Sequence, residues 1–291
     1  MRYAWIRGHA AEYPRAVMFR ALRVSASGYY AWARRGPSIR QLREAGIAES
    51  VKKFHARSRQ VYGYRKVHRD VVQEDGHACS AEMVRRVMRR NGLRSKVKRK
   101  FIVTTDSGHV YSVAPNRLDR NFSATEENRK WVGDITYIRT REGWLYLSVI
   151  QDLYSRKIVG WSMAETIKSA LVCDALKMAL QHRRPEAGLL FHSDRGVQYA
   201  AEEYQGLLSR NKVICSMSRK GNCWDNACAE NFFSRLKSEH IQDRMYASHQ
   251  EARQDVFWYI EVFYNRSRRH AALGYISPVA FEEQQAWEKA A

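Results

Sequence analysis

The sequence has little from which to build a disulfide or zinc framework. Its 291 residues hold five cysteines, Cys79, Cys173, Cys215, Cys223 and Cys228. No two form a C-x-x-C pair, and none lies near a His pair at zinc spacing. They are expected to be reduced and packed as small hydrophobes. The N-terminus has no signal-peptide run, because Arg2 and Arg7 break its apolar character. Long hydrophobic runs are absent too: the most apolar late segment, 256–264, is too short to span a bilayer and contains Glu261. These absences predict a soluble cytoplasmic protein with no membrane partner. No a/d heptad is sustained over three or four repeats, which argues against a long coiled coil.

Acidic residues are scarce in the first third. The formal charge is +20 overall. Residues 1–100 carry 25 Lys and Arg against 7 Asp and Glu, whereas 101–291 carry 25 against 23. A basic segment joined to a nearly neutral remainder suggests a polyanion-binding module attached to something else. Counterion release would let such a module hold a phosphate backbone with steep salt dependence. A solvated basic surface or an RNA binder would have the same composition. The chain is 45% hydrophobic and 12% aromatic, ample for packed cores in about two domains.

The first hundred residues read as helical. A short helix is expected at 14–22, and a second from Ala26 behind Ser25 as cap. A longer helix is expected over 38–58, with Leu42, Ile47, Val51 and Phe54 as its stripe. A helix-turn-helix candidate covers 63–92. Tyr64, Val67 and Val71 share one face, Asp75-Gly76 is a turn, Ser80 is a cap, and Met83, Val84, Val87 and Met88 repeat at helical spacing. The outer face of the last helix carries Arg85, Arg86, Arg89 and Arg90, the arrangement of a helix that lies in a major groove. Arg65 and Lys66 at the start of the preceding helix are further candidates for DNA contact. So are Lys96, Lys98 and Arg99 in the basic run 95–100. Residues 101–128 lack periodicity and read as a connector.

From residue 129 to about 285 the pattern is strand, strand, strand, helix, strand, helix, strand, helix. That order predicts an α/β core: a mixed five-stranded sheet of ribonuclease-H-like type with helices on both faces. Asp134 lies in the first strand, Asp194 ends the strand beginning near Gly188, and Glu230 sits in a helical run. Three carboxylates delivered by two strands and a helix can hold a pair of divalent metals, about 3.5–4 Å apart in such sites, which clamp the attacking and leaving oxygens of a phosphodiester. Mg²⁺ suits this work, since it keeps positions open for water and phosphate oxygens. Asp152 and Asp225 compete for the role. Asp152 is placed to bond the backbone of the turn after its strand, and Asp225 or Asn226 to cap the helix carrying Glu230. His192 shares a strand face with Asp194, as a supporting or simply packed residue. Lys237 falls two turns after Glu230. Arg219 and Lys220 precede that helix in a loop and are candidates for DNA contact. The basic end of the helix at 264–270 is read as contacting DNA, bracing the core, or both.

The stretches Trp-Val-Gly-Asp-Ile-Thr-Tyr-Ile (131–138), Asp-Leu-Tyr-Ser-Arg-Lys-Ile-Val-Gly-Trp (152–161) and His-Ser-Asp-Arg-Gly-Val-Gln-Tyr (192–199) carry a resemblance. Ser-Met-Ser-Arg-Lys-Gly-Asn-Cys-Trp-Asp-Asn-Ala (216–227), Tyr-Asn-Arg-Ser-Arg-Arg-His (264–270) and Leu-Gly-Tyr-Ile-Ser-Pro (273–278) extend it over nearly the whole chain. Together they resemble the second-reading-frame transposases of insertion sequence family three, DDE enzymes with a retroviral-integrase-like core. The resemblance implies that Asp134, Asp194 and Glu230 are the acidic triad and that Lys237 contacts DNA. It also implies a polynucleotidyl transferase using Mg²⁺ or Mn²⁺, with two ions, that cuts and joins double-stranded DNA at element ends and target. The expected partners are further copies of the chain on DNA and an upstream-frame product, as fusion or separate chain, within the nucleoid. The zinc module that precedes retroviral integrase cores has no counterpart here. A structure-specific nuclease of the same fold and a non-catalytic DNA-binding regulator are the alternatives.

Overall fold

In a computed structural model, residues 1–96, 113–219, 223–242 and 244–290 are described. The chain divides into two units, Met1–Arg94 and Ser95–Ala291.

The first unit is all helical. Helices α1 (Arg2–Gly8), α2 (Arg15–Ala21) and α3 (Ala26–Arg34) enclose Ile6, Met18 and Tyr29. Ser25 caps α3 as expected, accepting from the Gly28 amide at 3.0 Å. Helix α1 was not expected: it has seven residues and buries Ile6 alone, too short to show a period. Helix α4 (Ile39–Arg57) opens with a capping box, Ser38 and Gln41 each accepting the other's backbone N–H. Helices α5 (Tyr64–Gln73) and α6 (Ala81–Arg90) pack on it through the fully buried Ile47, Val51, Phe54, Val67, Val71 and Val84. Ser80 caps α6, and Gly92 follows its end at φ +65°, the left-handed value that closes a helix. Leu42, expected in the α4 stripe, is instead exposed. It precedes Ile47 by five residues, which turns it off that face.

The second unit is a five-stranded sheet with helices on both faces. Its strands are β1 (Lys130–Thr140), β2 (Gly143–Asp152), β3 (Ile158–Ala164), β4 (Leu190–Ser193) and β5 (Ile214–Met217), in the order β3-β2-β1-β4-β5. The first three pair antiparallel, while β1–β4 and β4–β5 pair parallel. Parallel neighbours need helical crossovers. These are α7 (Ser169–Arg183) before β4, then α8 (Val197–Ala200) and α9 (Glu202–Arg210) before β5. One face buries Trp131, Phe191, Leu176, Tyr199 and Tyr204 in a shared core with these helices. Gly160 allows β3 to press on α7, since a Cβ there would lie 2.3 Å from the Ala175 carbonyl oxygen. The other face buries Val132, Leu118, Leu153 and Ala229 under α10 (Ala227–Leu236). This is the ribonuclease-H-like arrangement that the element order predicted.

Several details differ from expectation. Helix α7 begins at Ser169 rather than residue 166, and α8 is an extra turn. Residues 113–128, expected within a connector, belong to the second unit: Leu118 is buried, and Phe122 and Ala124 pack beside it. Helix α10 runs on into a π-helical turn at Lys237–Ile241, and α11 (His249–Phe257) into another at Trp258–Tyr264. Helix α12 (Pro278–Ala290) was not foreseen; Glu282 fastens it to Lys157 and Arg183. Among the described residues no helix is long and apolar enough to cross a membrane.

The basic end at 264–270 braces the core. Arg268 is buried and grips Glu239 with two bonds, of 2.5 and 2.7 Å, while the Tyr259 hydroxyl donates to the same carboxylate at 3.0 Å. Removing one member strands a buried charge, so Glu239→Gln is expected to cost about 3–5 kcal/mol. Urea unfolding of the full chain checks this; a loss below about 1 kcal/mol would show that the pair does not brace the helices.

Candidate active site

Asp134 is the fifth residue of β1, the central strand. The parallel register pairs Lys130 with Leu190 and Val132 with His192, a constant offset of 60. Carried two residues further, that offset sets Asp194 beside Asp134, one residue beyond the end of β4. Adjacent strands lie about 4.8 Å apart, so the two carboxylates start from neighbouring positions on one face. Each is steered by its own backbone: Asp134 Oδ1 accepts from the Ile135 amide at 2.8 Å and Asp194 Oδ1 from the Gly196 amide at 2.9 Å. A Cβ at Gly196 would sit 3.0 Å from that Asp194 oxygen.

Glu230 comes from α10, which packs on β1 and β2. Its start is tied down next to Asp134, because Asn226 Nδ2 donates to the Gly133 carbonyl at 3.3 Å. Glu230 lies one helical turn after Asn226. On the opposite face a Cβ at Gly133 would strike the Phe191 ring at 2.5 Å, so glycine is needed where β1 passes that ring.

The electrostatics show the three groups acting on one another. Burial raises Asp134 well above the usual carboxylate range, and Asp194 and then Glu230 add to the rise; the Ile135 amide and Lys237 oppose it. Burial and then Asp194 raise Glu230 as well. Such a site favours a cation, and its all-carboxylate donors match Mg²⁺ or Mn²⁺. As the side chains stand, no three His, Cys, Asp or Glu among the described residues close on a single ion position. Lys237 lies at the rim, its ammonium 4.7 Å over the Tyr137 ring; burial lowers its pKa and Asp134 raises it.

The competitors have structural work. Asp152 accepts from the amides of Tyr154 at 2.8 Å and Asn128 at 2.7 Å, forming the expected turn. The expected capping by Asp225 or Asn226 does not occur. Asn226 reaches to β1, and Asp225 is buried, with Asn116, Arg120 and Arg219 bonded to it. Those arginines hold its carboxyl well below the usual range, Arg219 foremost. His192 is packed between Ser216 and Ser218, with ring nitrogens 2.8 and 3.1 Å from their hydroxyls, and burial lowers it to about 4.

In the first unit, Arg85, Arg86, Arg89 and Arg90 are all exposed on α6. Arg85 is shared with Glu82 through two bonds of 2.7 Å. Arg65 and Lys66 lie over the rings of Tyr64 and Tyr62. Lys96, expected to track DNA, donates to the Glu239 carbonyl at 3.1 Å within the second unit. Lys98, Arg99 and Lys220 lie outside the described residues. Sequence reasoning missed Asn116 and Arg120, which fall in an aperiodic stretch and meet Asp225 only through the fold. It also missed Tyr199, a buried phenol that burial, Asp134 and Asp194 push well above its ordinary range.

A family model described as "Integrase core domain" matches residues 124–223, and a second of that description matches 211–278. A model described as "HTH-like domain" matches 41–101. These define a helix-turn-helix-like unit followed by an integrase core. "Transposase InsF for insertion sequence IS3A" of Escherichia coli K12 is 43% identical over 286 residues, covering 98% of this chain and 99% of that protein. "Insertion element IS600 uncharacterized 31 kDa protein" of Shigella sonnei is 44% identical, over 90% of this chain and 96% of that one. Among solved structures, the HTLV-2 integrase catalytic core domain in complex with magnesium aligns at a TM-score of 0.44 and 15% identity, covering 55% of this chain and 99% of that one. The chain belongs to the IS3 family of insertion-sequence transposases, DDE enzymes with an integrase-type core.

Proposed function

We propose that Asp134, Asp194 and Glu230 hold the divalent metal of this transposase, Mg²⁺ or Mn²⁺, as two ions. The observation that carries the assignment is the register of β1 on β4, which aligns Asp134 with Asp194, together with the charge coupling of both to Glu230. The metal would supply Lewis acidity to the phosphodiester and its attacking oxygen. The donors come from β1, the residue after β4 and α10, and Lys237 would meet a phosphate oxygen. In the first step water attacks phosphorus at the element end, and the P–O bond to the 3′ oxygen breaks to leave a 3′-OH. In the second, that hydroxyl attacks a target phosphodiester, forms a new P–O bond and releases the target's own 3′-OH. The DNA supplies the nucleophile, so no covalent protein–DNA intermediate is assigned. Double-stranded DNA is the substrate, held by the arginines of α6 together with Arg65 and Lys66.

Joined products separate this reading from its rivals. Full chain, end-carrying duplex and Mg²⁺ are expected to give both a nicked strand and joined DNA. Cleavage without joining would favour a structure-specific nuclease, and neither product would favour a DNA-binding regulator. Pairing two ends requires more than one copy, and the chain has no extended heptad repeat for the purpose. Fusion to an upstream-frame product is therefore expected to raise end specificity and joining above those of this chain alone. Equal paired-end complexes and joined products from both forms would overturn that expectation.

A further inference from the structure

Asp225 is fully buried, yet it gathers five donors from three residues: Asn116 Nδ2, Arg120 Nε, and the Arg219 amide, Nε and Nη2, all at 2.9–3.0 Å. One carboxylate so provided is a holder for the groups around it. The two guanidiniums it holds are each 47% exposed, while its own side chain is 0% exposed. Arg219 turns one edge to Asp225, with Asp119 at 3.4 Å from Nη2. Arg120 is tied by Nε, and among the described residues its two terminal nitrogens make no hydrogen bond. Arg120 and Asp119 both adopt left-handed backbone, φ +60° and +40°, a conformation disfavoured for non-glycine residues. Strain of this kind persists where surrounding contacts over-determine the geometry, and it clusters at ligand clamps.

Hydrogen bonds tie the segments that carry Asp225 and Arg219 to those that carry the carboxylates. Arg219 follows Ser218, whose amide bonds the Ser193 carbonyl at 2.9 Å, next to Asp194. Asp225 precedes Asn226, which bonds Gly133 next to Asp134. Arg195 is fixed to the same strand end, donating from Nε to the Ser218 carbonyl at 2.6 Å. Guanidiniums with fixed orientation suit bidentate contact with phosphate. We infer that Arg120 and Arg219, oriented by Asp225, form a binding site for a backbone phosphate of the DNA strand beside the reacting phosphodiester. The inference rests on the proposed reading of the triad as the place of reaction, and it makes Asp225 a positioning residue.

A chemical double-mutant cycle tests it. Equilibrium binding of the full chain is measured with end-carrying duplexes in which single phosphates near the cleavage position are replaced by neutral methylphosphonates. For the parent chain, one or two positions are expected to lower affinity by about tenfold, and in Arg120→Gln/Arg219→Gln the same positions are expected to lower it less than about twofold. The double variant should also bind unmodified duplex more weakly, with a salt slope shallower by about 1–2. Arg120→Lys/Arg219→Lys keeps both charges and guards against a variant that fails to fold; it should retain most of the slope and lose part of the positional sensitivity. The inference is overturned if no position is sensitive in the parent, or if the Gln variant, or the Lys variant should the Gln variant not fold, is as sensitive as the parent at every position. Binding is read without catalysis, so a chain that makes no joined product can still pass or fail this test.

Discussion

Asp134→Asn, Asp194→Asn and Glu230→Gln are each expected to reduce Mg²⁺-dependent cleavage and joining by about a thousandfold or more, equivalent to about 4 kcal/mol of transition-state stabilisation. Folding should survive. Asp134 sits where burial and two neighbouring carboxylates disfavour its charge, so its amide replacement should leave the metal-free chain at least as stable as the parent. Mg²⁺ should raise the parent's melting temperature by mass action and leave that of Asp134→Asn unmoved. DNA binding should persist in all three variants. Near-normal activity in any one of them would remove that residue from the assignment.

The second large effect concerns the basic unit. Residues 1–94 carry 21 Lys and Arg against 7 Asp and Glu, leaving 29 against 23 for the remainder. A 1–100 fragment is expected to supply most of the non-specific affinity for duplex DNA, with a steep negative slope of log affinity against log salt. Changing Arg85, Arg86, Arg89 and Arg90 to Ala should make that slope shallower by about 3 rather than the full four contacts, because Glu82 already holds Arg85. Sequence preference should fall with it if these side chains read base edges as proposed. A 101–291 fragment that binds as tightly, with the same slope, would show that the charge is distributed for another purpose.

Much of the sheet was legible because each strand carries its own signal. Trp131 to Ile138 alternate between the two faces, Gly143 marks the β1–β2 turn, and α7 and α9 are long enough to show a period. The three candidate carboxylates were singled out by the resemblance; Asp134 lies on β1, Asp194 one residue past β4, and Glu230 on α10, whose start is tied to Gly133 through Asn226. Relations carried only by tertiary contact were not legible. Asp225 reads locally as a cap, and only the approach of residues 116–120 shows it as the holder of two arginines. His192 shares a face with Asp194 but is taken up by Ser216 and Ser218 from β5 and its end. Arg268 reads as a surface cation at a helix end, yet it is buried against Glu239, 29 residues earlier in the chain. The π-helical turns have no period of their own to betray them.

Counting bound Mn²⁺ tests whether Asp134, Asp194 and Glu230 are the metal site. Electron paramagnetic resonance of free Mn²⁺, titrated into the full chain with end-carrying duplex, should show two ions bound per active chain in the parent. The Asp134→Asn/Asp194→Asn/Glu230→Gln variant should bind neither of them while still holding the DNA. Mn²⁺ binding by that variant with the parent's stoichiometry and affinity would contradict the account.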